Sequence, residues 1–348
     1  MRTRIVILAV GVCFSAASAC WAFDTIKTKD GSIRGTVVGM TPLKVTIQQG
    51  AAGGLEKEVP VNEIEMIYYD DEPPQLKTAR LHISSGRYED AVDTLGGIDT
   101  SEISREVVKQ DVDFYKALCA ARLALGGNGK VLDAARQMSA FRTANTGSYH
   151  YLEATETMGD LAVANGSYTN AEESYRTLAK APWPDYKMRA GVALGRARLA
   201  QGNTAGAKQA FEVVLGMDAG GDLAKTQHLA ATLGKARCLA AEGTHAQAIK
   251  VVQDILARAD PEDVGLQARA YNTLGTALRK AGRDKEALMA FLHVHLLYFA
   301  VPEAHAEALA NLVELWKAVH KTERAVQAQR MLEERYANSR WNKQGASP

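Results

Sequence analysis

Six pairs of a glycine and an alanine five positions later recur along this sequence at a nearly even spacing, and this recurrence constrains the fold more than any other feature. Successive copies lie 36 to 43 residues apart. A repeat of about 20 to 50 residues indicates an array of similar units, each stacked on its neighbours. The pairs are Gly86/Ala91, Gly129/Ala134, Gly166/Ala171, Gly202/Ala207, Gly243/Ala248 and Gly282/Ala287, and a seventh copy has His320 before Ala325.

The residue types at these positions are typical of a helical hairpin. The glycine ends a first helix, where a sharp turn favours positive φ, and the alanine lets a second helix approach the first closely. A larger residue follows four positions after the alanine, and a small residue precedes the glycine by seven, so both lie on the packed face. The larger residues are Leu95, Met138, Tyr175, Phe211, Val252 and Phe291, with Gln329 in the last unit; the small ones are Ala79, Gly159, Gly195, Ala236 and Gly275.

Three units resemble the tetratricopeptide repeat in detail: GSYTNAEESY from Gly166, GNTAGAKQAF from Gly202 and GRDKEALMAF from Gly282. The resemblance extends over residues 75–340, although these units are longer than the usual length of about 34 residues. It implies a mostly α fold, a TPR-like α-solenoid of about seven helical hairpins. Hairpin two is degenerate around Gly129, and the first helix of hairpin five has an ambiguous register. We expect residues 341–348 to form a disordered tail.

Residues 23–72 follow a different pattern, with a period of two and frequent turn residues. Five short apolar alternations lie between Thr25 and Tyr68, interrupted by Asp30-Gly31, by Thr41-Pro42 and by a glycine-rich turn at residues 50–54. So many short strands in so few residues favour a small closed barrel, because a lone sheet would leave exposed edges. The strands resemble those of SH3-like and Sm-like barrels. We therefore predict a small all-β barrel before the solenoid.

The first 22 residues have the layout of a secretory signal peptide. Two arginines precede an apolar stretch of about ten residues, which is too short to span a bilayer, and a small-residue tail follows. Cleavage after Ala19 or after Ala22 fits this layout. Cys20 also follows a segment that resembles a bacterial lipobox, but the large aliphatic residue usual three places before that cysteine is missing. An unmodified and a lipid-anchored exported protein, periplasmic or secreted, both remain open.

The chain contains none of the sequence motifs that commonly mark an enzyme, a metal site or a nucleotide site. His293 and His295 are two residues apart, so a helix would direct them to different sides. Cys119 and Cys238 lie in alanine-rich helices three hairpins apart, beyond the reach of a disulfide. The net charge is +1 and residues 23–74 carry a net charge of −4, which argues against a nucleic-acid partner. We therefore expect no catalysis, no cofactor and no metal.

The family resemblance implies that partner proteins or peptides bind the concave face formed by the first helices. Applied to the three clear repeats, the resemblance selects acidic residues on one hairpin and mainly basic residues on two later hairpins. Such a pattern of charges suits recognition of a charged segment. The candidate groove residues are Glu153, Glu156 and Asp160 in hairpin three, Arg189 and Arg196 in hairpin four, and Arg269, Asn272 and Arg279 in hairpin six.

Two functions of different classes follow from these observations. In the first, the protein is an exported, non-enzymatic scaffold that binds partners through the solenoid, and a role in envelope assembly fits such a protein. In the second, it is a structural module associated with cell wall or glycan, and the barrel is the binding element. The sequence does not specify the partner, the pathway or the oligomeric state.

Overall fold

A computed structural model describes residues 23–50 and 53–344 of the chain. A small antiparallel sheet comes first, and helices make up most of the remainder. The predicted signal peptide, including Cys20, lies outside the described residues. None of the helices within these residues is long and apolar enough to cross a membrane.

The sheet has five strands in the order β4-β3-β2-β1-β5, all antiparallel. The long β2 pairs with β1 through its first half and with β3 through its second half, and Gly35 lies where the strands approach most closely. A Cβ added at Gly35 would lie 2.2 Å from the carbonyl oxygen of Gln48. The strands are β1 (Asp24–Thr28), β2 (Gly31–Met40), β3 (Lys44–Gln49), β4 (Leu55–Pro60) and β5 (Ile64–Tyr68).

The edge strands β4 and β5 are joined by a 3₁₀ turn, Val61–Glu63, and do not pair with each other within the described residues. Ile26, Ile47 and Ile67 are fully buried on the inner face of the sheet. The structure therefore has the predicted five strands as an antiparallel sheet, whereas closure into a barrel remains a prediction.

The helices form seven hairpins, and the predicted mostly α solenoid is confirmed. Neighbouring first helices contact one another along the array, whereas the second helices pack mainly against first helices, so the first helices line the concave face. The first helices are α1 (Pro74–Ser84), α3 (Glu106–Leu125), α5 (Tyr151–Ala164), α7 (Pro184–Ala200), α9 (Asp222–Ala241), α11 (Val264–Lys280) and α13 (Pro302–Ala318). The second helices are α2 (Tyr88–Gly96), α4 (Val131–Ala144), α6 (Tyr168–Leu178), α8 (Thr204–Leu215), α10 (His245–Arg258), α12 (Asp284–Leu297) and α14 (Thr322–Arg335).

Every hairpin turn has a residue with positive φ, followed by a residue whose N–H reaches back five positions to a carbonyl of the first helix at 2.8 to 3.0 Å. This is the Schellman arrangement, which satisfies carbonyls at the end of a helix. In hairpin two the residue with positive φ is Gly127, not the Gly129 of the repeat pattern, because the turn is two residues longer. The remaining residues are Gly86, Gly166, Gly202, Gly243, Gly282 and His320.

Close packing explains the small residues of the first helices. A Cβ added at Gly195 would lie 2.4 Å from the ring of Phe211, and one added at Gly234 would lie 2.3 Å from the same ring. Phe211 therefore occupies a slot between its own hairpin and the next one. This second contact also explains the ambiguous register of hairpin five. Ala236 lies seven residues before the turn glycine, as the repeat requires, whereas Gly234 leaves room for the ring of Phe211 from the preceding hairpin. The repeat alanines Ala91, Ala134, Ala171, Ala207, Ala248, Ala287 and Ala325 are all buried.

The last hairpin returns to contact the second, a feature that the repeat pattern does not predict. The N–H of Asn338 donates to the carbonyl oxygen of Gly127 at 3.3 Å. A Cβ added at Gly127 would lie 2.9 Å from the Cα of Tyr336, and one at Gly126 would lie 3.3 Å from the Cβ of Pro302. The array from hairpin two to hairpin seven is thereby closed on itself.

The tail predicted at 341–348 differs from the structure in its first part. Residues Arg340–Gln344 form a short helix, α15, that packs on α13. The half-buried Trp341 anchors it against the core of the last hairpins, and Arg340 donates to Glu303 at 2.9 Å. Residues 345–348 lie outside the described part of the chain.

Candidate functional site: the concave face

The acidic candidates lie on α5, and each contacts a polar partner within the protein. Glu156 forms an ion pair with Arg189 of the next first helix. Asp160 accepts a hydrogen bond from the hydroxyl of Tyr175 at 2.8 Å. Glu153 lies 3.8 Å from the ring of His150. We call Glu153, Glu156 and Asp160 the acidic row.

The pKa shifts of the acidic row follow from this environment. Burial raises the pKa of Glu156 and of Asp160, and the charges of Arg189 and Arg196 oppose that change only in part. Burial also acts to raise the pKa of Glu153, but hydrogen bonding and charge from His150 outweigh it and lower the pKa. Glu156 is therefore paired with an arginine of the protein, whereas among the described residues Glu153 and Asp160 have no lysine or arginine within ion-pair distance.

Three arginines on successive first helices form a second group, which we call the arginine cluster: Arg196 on α7, Arg237 on α9 and Arg269 on α11. Arg237 forms an ion pair with Glu307 at 3.0 Å. Within the described residues, neither Arg196 nor Arg269 has a carboxylate within ion-pair distance. Positive charge is thus concentrated in this part of the concave face.

The effect of this positive charge is seen in the pKa of Arg269. Its side chain is half-buried, and its guanidinium lies beside Gly265, where the missing side chain leaves it room. Burial, together with the charges of Arg196 and Arg237, lowers the pKa of Arg269 to about 10, although Asp263 and Glu303 act in the opposite direction. Arg269 is still charged at neutral pH, in surroundings that favour an added anion.

Of the two other candidates of hairpin six, Asn272 differs from the expectation of a shared groove surface, whereas Arg279 does not. Asn272 is fully buried, and its amide donates to the carbonyl oxygen of Ala304 at 2.8 Å, so it ties α11 to α13. The prediction that Asn272 contacts a ligand is therefore wrong, because the neighbouring hairpin covers it. Arg279 is exposed and donates to Asn311 at 3.2 Å.

Arg237 is not among the residues predicted from the sequence, although a signal for it exists. Arg237 stands six residues before the turn glycine Gly243, as Arg196 does before Gly202 and Asp160 before Gly166. Counting back from the turn glycine would have selected it despite the ambiguous register of hairpin five. No comparable pattern identifies Glu307, since its pairing depends on how α13 lies against α9.

The sheet joins the helices through a buried ionic network, which we call the seam. Arg80 of α1 donates to Glu72, just after β5, and to Asp111 of α3, both at 2.6 Å. The side chains of Arg80 and Asp111 are each 1% exposed. Arg105 donates through two nitrogens to Asp24 of β1, each at 2.8 Å. The sheet therefore packs firmly on the first hairpins.

The remaining candidates for chemistry have structural surroundings. Among the described residues no three His, Cys, Asp or Glu side chains are grouped to hold a metal ion. Cys119 and Cys238 are buried and unpaired. His293 stacks on Tyr271, whereas the neighbouring His295 contacts His305 at 2.8 Å.

Comparisons with known proteins agree with this architecture. The family model described as tetratricopeptide repeat matches residues 156–222 and 192–264. A tetratricopeptide repeat protein from Parabacteroides merdae is similar in structure, with a TM-score of 0.50 at 15% identity, over 78% of this chain and 98% of that one. A Rap protein complexed with competence and sporulation factor gives a TM-score of 0.52 at 14% identity, over 78% and 77% of the two chains. No curated protein matches in sequence.

Proposed function

The helical array carries tetratricopeptide repeats, and from this we propose that the protein is a non-catalytic scaffold that holds an acidic, extended segment of a partner protein along its concave face. The observation that carries the proposal is the arginine cluster. Its charge is compensated only at Arg237, whereas Glu156 of the acidic row has an arginine of its own. A carboxylate-rich partner would supply the missing counter-charges.

The closed array supports an extended form for that segment. Because Tyr336 and Asn338 contact Gly127, the concave face is bounded by the protein on all sides of the ring. A folded domain would have to open these contacts to reach Arg269, whereas a single extended strand of chain would not. Guanidinium groups also match the planar geometry of carboxylates, which favours acidic side chains over other anions of a protein.

The Rap protein, which shares this fold, is complexed with competence and sporulation factor. At 14% identity the likeness concerns the fold alone, so the chemistry of the partner rests on this chain's own arginines.

The binding proposal can be tested with a fluorescein-labelled hexaglutamate peptide and the full chain, followed by fluorescence anisotropy. We expect binding that weakens as salt rises. The double variant R196E/R269E should lower the affinity by about ten-fold or more, because each reversal replaces an attraction by a repulsion.

The matched control is R176E/R330E, which makes the same change in net charge at exposed positions of second helices. It should bind hexaglutamate like the parent chain. Equal losses in both double variants, or equal binding of a hexaglutamine peptide by the parent chain, would overturn the proposal.

We further propose that the scaffold acts outside the cytoplasm, on the basis of residues 1–22. Mass spectrometry of the mature protein isolated from cells distinguishes the three outcomes: cleavage after Ala19, cleavage after Ala22, or a lipid on Cys20. Recovery of the full chain with residues 1–22 intact would contradict export.

A further inference from the structure

A cleft lies between the sheet and the concave side of the first hairpins. It has two chambers of about 240 and 280 Å³, which we call the His150 chamber and the Lys29 chamber. Val61, Ile64, Glu153 and Tyr186 line both, so the chambers are adjacent. Each chamber is large enough for several water molecules, and therefore for a side chain.

Two of the residues that line the cleft carry a buried polar atom without a partner. The hydroxyl of Tyr149, a residue 7% exposed, makes no hydrogen bond in the described structure, and neither does the side-chain oxygen of Asn62. Tyr149 lines the His150 chamber and Asn62 lines the Lys29 chamber. Buried polar groups are nearly always hydrogen-bonded, and both of these atoms can accept a proton donor.

The charges around the cleft are unbalanced toward the negative. Glu72 and Asp111 share the single guanidinium of Arg80. Among the described residues, Glu153 has only His150 within ion-pair distance, at 3.8 Å, although the charges of Arg122 and Arg189 also act on it, and Asp185 has no ion-pair partner.

Two further pairs neutralise themselves: Lys27 with Glu65, and Arg189 with Glu156. The positive groups left to offset the excess are Lys29 and His150. The electrostatic interactions in the cleft therefore favour a bound cation over a bound anion.

From the shared chambers, the unpartnered acceptors and the excess of carboxylates we infer that the cleft is a second binding site, specific for a primary ammonium group with Glu153 as its main contact. A lysine side chain and the amino terminus of a peptide both supply that group. Its N–H groups can donate to Glu153, which lines both chambers, and to an acceptor of either chamber, Tyr149 in the first or Asn62 in the second, and its positive charge suits the carboxylate of Glu153. This site is separate from the arginine cluster and has the opposite preference.

The test uses the full chain with ¹³C-labelled methionine methyl groups, because Met66 lines the His150 chamber. Three blocked tripeptides serve as probes: acetyl-Gly-Lys-Gly-amide, Gly-Gly-Gly-amide with a free amino terminus, and acetyl-Gly-(acetyl-Lys)-Gly-amide. We expect a saturable shift of the Met66 signal with the first or the second peptide, which identifies the source of the ammonium group. The third peptide should leave Met66 unchanged.

The variant Glu153→Gln should weaken ammonium binding by about ten-fold or more, because it removes charge but little volume. Glu172→Gln, on α6, is the matched control and should bind like the parent chain. Asp185→Asn provides a second variant, expected to weaken binding by a smaller factor, and R269Q should have no effect here.

An equal Met66 shift with the acetylated lysine peptide, or no shift with either ammonium peptide, would overturn the inference and leave the cleft as a water-filled space. Unchanged affinity in Glu153→Gln would overturn the role of that residue. Neither result bears on hexaglutamate binding at the arginine cluster.

Discussion

Arg80 in the seam and Arg269 on the concave face are both largely removed from water, yet the protein surrounds them in opposite ways. Burial by itself lowers the pKa of Arg80, but the carboxylates of Asp111 and Glu72 raise it above its usual range. Burial lowers the pKa of Arg269 to about 10, and the charges of Arg196 and Arg237 act in the same direction, whereas Asp263 and Glu303 oppose the change without forming an ion pair. A buried cation with its own carboxylates holds parts of a protein together. A buried cation among like charges is suited to an external anion.

The largest effect should come from removing one partner of Arg80. Asp111→Ala leaves a buried guanidinium with only Glu72, and we expect a loss of about 3 to 5 kcal/mol in the free energy of unfolding. Urea unfolding followed by circular dichroism measures it. Asp133→Ala, which breaks the exposed pair with Arg136, should cost about 1 kcal/mol or less. Similar losses in the two variants would show that the seam contributes little.

Disrupting the contact between Gly127 and Tyr336 tests whether this contact closes the array around the concave face that carries Arg269. Gly127→Ala places a Cβ 2.9 Å from the backbone of Tyr336 at a φ of 90°, so we expect a loss of about 2 to 4 kcal/mol and a larger radius of gyration by small-angle scattering. Gly166→Ala is the control, with a φ of 76° and open space around the added methyl. It should cost about 1 to 2 kcal/mol without expansion. Equal behaviour of the two would mean that the contact does not close the array.

The substitution Arg269→Gln should weaken hexaglutamate binding without a large loss in the free energy of unfolding. Because the substitution removes repulsion with Arg196 and Arg237, we expect the free energy of unfolding to stay within about 1 kcal/mol of the parent or to rise. Hexaglutamate affinity should fall by about ten-fold. A large loss of stability would show that Arg269 stabilises the fold as Arg80 does, and would contradict the proposed difference between the two arginines.

The smallest effect is a pH dependence at the seam. Burial opposes the charged form of His150, but the charge and hydrogen bonds of Asp111 and Glu153 outweigh it and raise its pKa. Since the folded-state pKa exceeds the unfolded value, His150 stabilises the protein fully below about pH 6.5, and this contribution is lost as pH rises through the raised pKa. Urea unfolding at pH 6 and pH 8 should show the parent losing more stability than His150→Gln. Identical pH dependence in both would exclude this role.

Much of the architecture could be predicted because it depends on local rules. A turn that needs positive φ selects glycine, and a helix packed closely on a ring selects glycine or alanine, so the Gly86 to Gly282 series reports the hairpins directly. The strands from Asp24 to Tyr68 follow the period of two in the same way. In hairpin two the local rule identified the hairpin but not the residue of the turn, because the longer turn places the positive φ at Gly127 and not at Gly129.

The candidate site was less predictable because its properties depend on neighbouring units. Glu156 and Arg189 both occupy first-helix positions on the concave face, but only their contact decides that the pair is neutral. Asn272 has the spacing of a groove residue, and α13 covers it.

The sequence by itself determined the repeat and the hairpins, because both follow from interactions within about 40 residues of chain. It also determined which positions along the first helices carry charge. Only the tertiary structure decided which charges are compensated, that Tyr336 meets Gly127, and that the sheet leaves a cleft beside Glu153. The physical reason is that small rotations between successive hairpins add up along the array. Contacts more than 200 residues apart depend on that sum, and no single repeat records it.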